Sequence, residues 1–251
     1  MGQHHGTVRS LVRKALREVL VLSNKITDTI LKYQFRVRLA WRTQSIPLKA
    51  MGRFNHEVVA VDDRTGVVYQ TEDRNDSLIY RFIPQRYREL SASGRLQASA
   101  IRDLSSADSR NWPYKLGGPA TNTIPVGTRL DTHWIDIDNP ELPKDDLRKQ
   151  EFSKGATLFA RGEGMWFDGR DIYLVCTNGG PNETGQVWQY SPSPQEGKLR
   201  DEVGQIELMV EPNNSDILEN GDNICVAPWG DPIICEDGRS GQYLVGITQT
   251  G

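Results

Sequence analysis

The sequence predicts an all-β fold, an incomplete β-propeller preceded by a helical extension. Apolar segments of four to seven residues, rich in Val, Ile and Tyr and bounded by Gly, Asp or Pro, recur after residue 46, and such segments are typical of β-strands. Oxygen-bearing side chains also recur across these segments at separations of fourteen or fifteen residues. The three pairs are Glu57 with Glu72, Glu163 with Thr177, and Asp222 with Glu236.

Each pair encloses one apolar strand, and a short polar turn and a second apolar strand follow it, as in SLIYRF, GQVWQY and GQYLVG. A β-propeller repeats such antiparallel units around an axis, so that its loops converge on one channel. At about 40 to 45 residues per blade, residues 46–251 supply about four blades. That number is small for a closed ring, and unclosed units leave strand edges through which chains can associate.

The net charge of −3 hides an uneven distribution along the 251 residues. Residues 1–45 carry nine Lys or Arg and two acids, and the apolar spacing in residues 7–35 predicts a basic amphipathic helix. We therefore divide the chain into an extension, 1–45, and an acidic propeller body, 46–251. An acidic body disfavours nucleic acid as a partner. No run approaches the roughly 18 apolar residues of a membrane span, and no export signal is visible.

We interpret a long polar stretch, residues 84–154, as an insertion between blades. Within it, the alternation of apolar and polar residues in THWIDID predicts a strand from Asp131 to Asp138. A short helix is expected from Asp145 to Lys154. Loops longer than about 15 residues are usually functional or mobile.

The three cysteines, Cys176, Cys225 and Cys235, lie in or beside apolar strands and lack the C-x-x-C spacing of zinc sites. We expect all three to be small buried residues. Because histidines are few, oxygen atoms must supply the ligands of any metal.

Calcium takes six to eight oxygen ligands, and a propeller axis can present one or two from each blade. Acids that are flanked by apolar residues are the best candidates for metal ligands, because they should be partly buried and a buried carboxylate must be paired or bind metal. The corners of the repeats offer Glu57, Glu72, Asp73, Glu163, Asp222, Asn223, Glu236 and Asp237.

Arg161 stands two residues before Glu163, so an extended strand would place both side chains on one face. A guanidinium beside a metal-binding carboxylate can clamp a phosphoryl group, since its planar fork matches two oxygens. His56 faces away from Glu57 by the same alternation, and we expect it to be a packed histidine. No G-x-S-x-G motif or P-loop is present, which disfavours serine hydrolases and NTPases.

The motifs RFNHE, ARGEG and CEDG occur in that order within residues 46–248, and together with their surrounding strands they resemble the PhoX family of bacterial alkaline phosphatases. The resemblance implies a propeller whose axis binds Ca²⁺ and Fe³⁺, hydrolysis of phosphate monoesters, and a periplasmic or secreted location. It also implies that Glu57 and Glu163 are metal ligands and that Arg161 binds phosphate. Asp222, Glu236 and Asp237 resemble further acids on the metal side.

The sequence departs from the family pattern in the segment that normally precedes these motifs. That segment carries an iron-binding cysteine, whereas residues 1–45 contain none, so iron binding is in doubt. We expect a member truncated at both ends, with weak or no phosphatase activity. The alternatives are a non-catalytic calcium-binding propeller fragment and, less strongly supported, a calcium-dependent lactonase or phosphotriesterase.

Overall fold

The structure is a computed structural model that describes residues 36–37, 46–113, 123–198 and 203–248. The chain divides into residues 1–32 and 33–251, and all described residues belong to the second unit. The helix expected over residues 7–35 lies outside the described residues.

Strands dominate the described part of the chain, so the prediction of an all-β fold is confirmed. Its one α-helix, α1, is Leu147–Ser153, and two short 3-10 turns are Lys49–Met51 and Leu90–Ala92. The strands are β1 (Arg36–Val37), β2 (Ile46–Pro47), β3 (His56–Val61), β4 (Val68–Glu72), β5 (Tyr80–Pro84), β6 (Gly94–Ile101), β7 (Arg129–Asp136), β8 (Gly162–Phe167), β9 (Ile172–Cys176), β10 (Gln186–Ser191), β11 (Gly204–Val210), β12 (Gly221–Val226), β13 (Pro232–Glu236) and β14 (Leu244–Gly246).

Nine antiparallel strands form the main sheet, in the order β3-β4-β5-β6-β7-β11-β10-β9-β8. Its two outer strands, β3 and β8, pack against each other, so the sheet curls almost into a closed barrel. Strands β12, β13 and β14 form a second sheet, and β12 packs against β8 and β9. Strands β1 and β2 form a separate pair.

The main sheet contains two four-stranded meanders, β3–β6 and β8–β11, and the second sheet is a three-stranded unit. These are the repeated units that the acidic corners predicted, although the described residues form three of them where chain length suggested about four. The difference arises because part of residues 84–154 is used to join units. Strand β7 pairs with β6 on one side and with β11 on the other.

Both elements predicted inside the insertion are present. The expected strand is β7, and the expected helix is α1. Arg148 of α1 is buried and donates from Nε to Asp76 Oδ1 at 2.7 Å, which ties the helix to the β4–β5 connection. The described part of the chain has no helix that is long and apolar enough to cross a membrane.

Three groups of buried apolar side chains form the core. The largest lies between the two meanders and includes Tyr69, Phe159 and Trp188. A second lies between β4, β5, β6 and α1 and includes Phe82 and Leu147. The third lies where the second sheet meets β9 and β10. Close packing of these groups fixes the relative positions of the strand ends.

The prediction that all three cysteines are buried is wrong for two of them. Cys176 is buried, but Cys225 and Cys235 are exposed. Their neighbours Ile224 and Ile234 are buried in the third core group. Because successive side chains of a strand point to opposite faces, the two thiols lie on the outer face of the second sheet.

A buried ion pair joins the two meanders. The side chains of Arg81, from β5, and Glu196, from the loop after β10, are 0% and 1% exposed and hydrogen-bond to each other. Glu196 also accepts from the hydroxyls of Tyr69 and Tyr190 at 3.1 and 3.0 Å. Arg81 Nε donates to Gln97 Oε1 at 2.7 Å. Every partner of this pair is thus provided by the protein, as a buried charge requires.

Glu196→Ala should destabilise the fold by about 3–5 kcal/mol, because it leaves the Arg81 charge buried without its partner. Urea unfolding followed by far-UV circular dichroism measures the free energy of unfolding. Glu89→Ala, which removes one member of the exposed pair with Arg86, is the control and should leave stability nearly unchanged. A loss below about 1 kcal/mol in Glu196→Ala would contradict a structural role for the pair.

Candidate functional site

Glu163 is the centre of a group of acids drawn from four strand ends. The group, here called the acid cluster, consists of Glu57, Asp73, Glu163 and Asp222. Burial raises the pKa of the Glu163 carboxyl to about 9, and the negative charges of Asp73, Glu57 and Asp222 add to the rise. Arg161 opposes it. The fold therefore concentrates negative charge around a carboxyl group that it also shields from water.

Arg161 is held inside this cluster by two ion pairs. Its Nε donates to Asp73 Oδ1 at 2.7 Å, and its Nη2 donates to Glu163 Oε1 at 3.1 Å. The contact that the sequence predicted between Arg161 and Glu163 is thus present. Arg161 itself precedes β8 and has a φ of 50°, a left-handed conformation that is uncommon for non-glycine residues. Its Nη1 makes no hydrogen bond to a described residue, and its side chain is 40% exposed.

Gly164 allows β12 to approach the cluster. A Cβ atom at this position would lie 2.8 Å from the Cα of Asn223 and still closer to the carbonyl oxygen of Asp222. Only glycine leaves room for such backbone contact. The glycine after Glu163 in the ARGEG motif therefore brings Asp222 of the second sheet beside Glu163 of the main sheet.

The backbone of Glu163 is anchored to the first meander. Thr71 Oγ1 donates to the Glu163 carbonyl at 2.7 Å and accepts from the backbone N–H of Val58 at 3.0 Å. Because β3, β4 and β8 meet at this hydroxyl, the strand that follows Glu57 is tied to the strand that carries Glu163.

The RFNHE motif supports the site from the other side. Asn55 accepts a backbone hydrogen bond from Asp73 at 3.0 Å and donates from its side chain to the Asp73 carbonyl at 3.3 Å. His56 packs on Phe54 and bonds through Nε2 to the Gly52 carbonyl at 3.1 Å. Burial lowers the pKa of His56 to about 4. The prediction of a packed histidine is confirmed.

A cleft of about 850 Å³ opens beside the acid cluster. Arg161, Glu163 and Asp222 line part of it. The loops after β9, β11 and β13 line the rest, with Thr177, Asn178, Asn182, Glu183, Thr184, Asn213, Asn214, Ser215, Glu219, Asn220, Asp237, Gly238 and Arg239. The second members of two of the acidic repeats, or their neighbours, thus reach the same cleft as the first members.

The structure separates the remaining candidates. Asp237 lines the cleft. Glu236 accepts from the backbone N–H groups of Glu219 and Tyr243 at 2.7 and 3.0 Å, so both of its oxygens hold the ends of the second sheet. Glu72 is buried away from water, where it accepts from the Tyr80 hydroxyl at 2.8 Å. Burial raises its pKa to about 8.

Two features of the site escaped the sequence reasoning. Asp73 was one of several corner acids, and only the fold shows that it pairs with Arg161. The asparagines that line the cleft come from three segments, TNGGPNET, EPNNSD and ENGDN. Their high content of amide side chains was the sequence feature that could have indicated a polar binding surface.

The donors of the acid cluster are all oxygen atoms, the ligand type that Ca²⁺ prefers, and their crowded negative charge would be relieved by a cation. Within the ranges that the structure describes, however, no three His, Cys, Asp or Glu side chains are grouped closely enough to form a metal site. The oxygen donors of the acid cluster thus suit a hard cation, but the described residues do not form a complete coordination shell.

The family model of alkaline phosphatase PhoX matches residues 38–251. The chain belongs to the PhoX family. No curated protein matches it significantly.

Among solved structures, the PhoX-family chain is similar to Pseudomonas fluorescens PhoX in complex with vanadate, a transition state analogue. The two superpose with a TM-score of 0.56 at 17% sequence identity, over 80% of this chain and 42% of the other. At this identity the likeness shows the fold, which is β-propeller-like. The chain spans less than half the length of this PhoX-family structure.

Gly164→Ala should destabilise the PhoX-family chain by about 1–3 kcal/mol, because the added methyl group forces β12 away from β8. The free energy of unfolding in urea measures this loss. Gly246→Ala is the matched control, since Gly246 also lies in a strand and open space surrounds its Cβ position. Equal stability of the two variants would show that the approach of β12 to β8 is not tight.

Without metal, stability should fall as the pH rises from about 5 to about 9. Glu163 has an ordinary pKa of 4.5 but a pKa of about 9 in the fold. Across this window the folded protein therefore holds a proton that the unfolded chain has released, so stability falls as the pH rises. The slope from one such group is at most about 1.4 kcal/mol per pH unit.

Urea unfolding at pH 5, 7 and 9 in the presence of a chelator tests this, with Glu163→Gln beside the wild type. Glu72 titrates in both proteins, so the difference between their slopes isolates Glu163. Glu141→Gln, at an exposed ion pair with Lys49, should retain the wild-type slope. Parallel slopes in the wild type and Glu163→Gln would contradict the raised pKa.

Proposed function

We propose that the cleft binds phosphate monoesters and takes part in their metal-dependent hydrolysis. In this proposal Arg161 binds phosphate, and Glu57, Glu163 and Asp222 hold Ca²⁺. The observation that carries the proposal is the Arg161 guanidinium, which two carboxylates fix in the lining of an open cleft.

Arg161 suits the phosphate-binding role because its orientation is set before substrate arrives. Asp73 and Glu163 occupy Nε and Nη2, which leaves Nη1 to donate to a phosphoryl oxygen. Preorganised donors of this kind stabilise the charge of a phosphoryl group without having to reorient.

The acids suit a cation for an electrostatic reason. Protonation of Glu163 is favoured only because burial and the neighbouring carboxylates penalise its charge, and a divalent cation removes that penalty. Lewis-acid stabilisation of phosphoryl oxygens is the chemistry that Ca²⁺ supplies in such a setting. Asp237 is a further candidate ligand at the cleft, whereas the two backbone hydrogen bonds of Glu236 make it a weaker one.

Iron remains a separate part of the proposal. The acid cluster offers oxygen donors, and the thiol of Cys176 lies in the core, where burial raises its pKa. The described residues around the cluster therefore suit Ca²⁺ better than a thiolate-bound Fe³⁺. We accordingly expect weak turnover from the chain with calcium alone.

A non-catalytic calcium-binding role is the second candidate. It is favoured by the oxygen donors of the acid cluster, which suit Ca²⁺ whether or not an ester is hydrolysed. The lactonase and phosphotriesterase alternatives fit less well, because a fixed guanidinium suits an anionic substrate better than a neutral ester. We also propose that the protein is exported from the cytoplasm, as is usual in the family. Chains are further proposed to associate through the β14 edge, where Leu244 is 73% exposed.

Elemental analysis and p-nitrophenyl phosphate hydrolysis, applied to the wild type, Glu163→Gln and Arg161→Ala, test the roles assigned. Glu163→Gln should lose bound Ca²⁺ and any activity together, because it removes a charged ligand. Arg161→Ala should retain metal and weaken phosphate binding about 10- to 100-fold, the size expected for one charged hydrogen bond.

Arg129→Ala is the matched control, since it removes an Arg–Glu pair that is exposed and lies outside the cleft. Stoichiometric Ca²⁺ with no turnover would favour the non-catalytic candidate. Unchanged phosphate affinity in Arg161→Ala would overturn the role of that residue, and robust turnover with bound iron would show that another group replaces the missing cysteine.

A further inference from the structure

The cleft has two chemically different parts. One part is charged and contains Arg161, Glu163 and Asp222. A second part is formed by two loops, residues 177–185 after β9 and residues 211–220 after β11, which also contribute Glu183 and Glu219 to the lining. Its uncharged hydrogen-bonding side chains, here called the amide wall, are Asn178, Asn182, Thr184, Asn213, Asn214 and Ser215.

The amide wall is fixed by hydrogen bonds between its loops. Asn182 donates from Nδ2 to the Asn213 carbonyl at 2.6 Å, and its backbone N–H donates to Asn213 Oδ1 at 3.3 Å. Asn220 donates to the carbonyls of Thr177 and Glu183 at 2.7 and 3.0 Å. The two loops therefore present their side chains in a set arrangement, as a preorganised binding surface does.

Several groups of the wall have hydrogen-bonding capacity that the described protein does not use. Thr184 is 9% exposed, and its Oγ1 is buried without a partner, as is Asn178 Oδ1. Asn214 uses Oδ1 for the backbone N–H of Asp216, which leaves its Nδ2 without a described partner. The Ser215 hydroxyl is likewise without one. Buried polar groups left unpaired are uncommon and need an explanation.

We propose that the amide wall binds hydroxyl groups of the alcohol half of the ester, so that the cleft selects phosphate monoesters of polyols, such as glycerol or sugar phosphates. This inference rests on the proposed function, because it assigns the phosphate to Arg161. None of the described residues that line the cleft has an aromatic, Leu, Ile, Val or Met side chain. An alkyl or aryl group would leave the wall unpaired, whereas hydroxyls both donate and accept.

A matched pair of esters tests the proposal. Glycerol 1-phosphate and n-propyl phosphate share a primary alkyl phosphate and differ by two hydroxyls. Isothermal titration calorimetry of the full chain in CaCl₂ should show the glycerol ester binding at least about tenfold more tightly, since sites built for hydroxyls discriminate against analogues that lack them. Release of inorganic phosphate is measured in the same samples.

The variant carries Asn214→Ser with Ser215→Ala, both at exposed positions. The serine at 214 can still accept from the Asp216 N–H, so the turn is retained while the amide donor is removed. The affinity ratio between the two esters should fall below about threefold. Asn139→Ala, an exposed asparagine outside the cleft, should keep the wild-type ratio.

The outcomes separate this inference from the proposed function. Equal affinity for both esters, with phosphate release, overturns the polyol preference and leaves hydrolysis standing. Tighter binding of the glycerol ester without phosphate release supports the preference and overturns hydrolysis. A wild-type ratio in the variant overturns the role of Asn214 and Ser215 in the preference. If neither ester binds or reacts, both proposals fail.

Discussion

The site depends on one constraint: three acidic side chains from other strand ends, those of Glu57, Asp73 and Asp222, are brought around a single buried carboxyl group, that of Glu163. Such an arrangement is unfavourable by itself, because burial and like charge both oppose ionisation. It persists because the surrounding packing is strong. Thr71 fixes the backbone of Glu163 to the first meander, and the missing side chain of Gly164 lets the second sheet close over it. The stability of the barrel-like sheet thus maintains a local excess of negative charge.

Arg161 lowers the electrostatic cost of the acid cluster and also presents a hydrogen-bond donor to the cleft. Its guanidinium neutralises part of the charge through Asp73 and Glu163, yet it keeps an exposed edge toward the cleft. The contrast with the Arg81–Glu196 pair is informative. There, both side chains are buried and the surrounding tyrosines, serine backbone and glutamine complete the hydrogen bonding. One pair therefore joins two meanders, whereas the other leaves capacity for an anion.

Much of the fold could be predicted from the sequence, because period-two alternation and turn residues mark strands directly. The repeat of acidic corners placed Glu57, Glu163 and Asp222 together, since equivalent corners of repeated units meet in space. The amide wall could not be predicted in this way, because its asparagines come from loops whose mutual position depends on the packing of complete sheets. Burial of Cys225 and Cys235 was wrongly expected because apolar sequence does not show which face of an outer sheet is covered.

The pairing of strand β7 affects how the main sheet can form during synthesis of the chain. The strand is paired to β6, which precedes it, and to β11, which is synthesised much later. During translation one edge of β7 is therefore complete while the other stays open until Gly204–Val210 leaves the ribosome. An open edge is a template for pairing with other chains, and slowly completed sheets are exposed to misassembly. Nascent chains of this protein should consequently be most vulnerable to aggregation in the interval between these two strands.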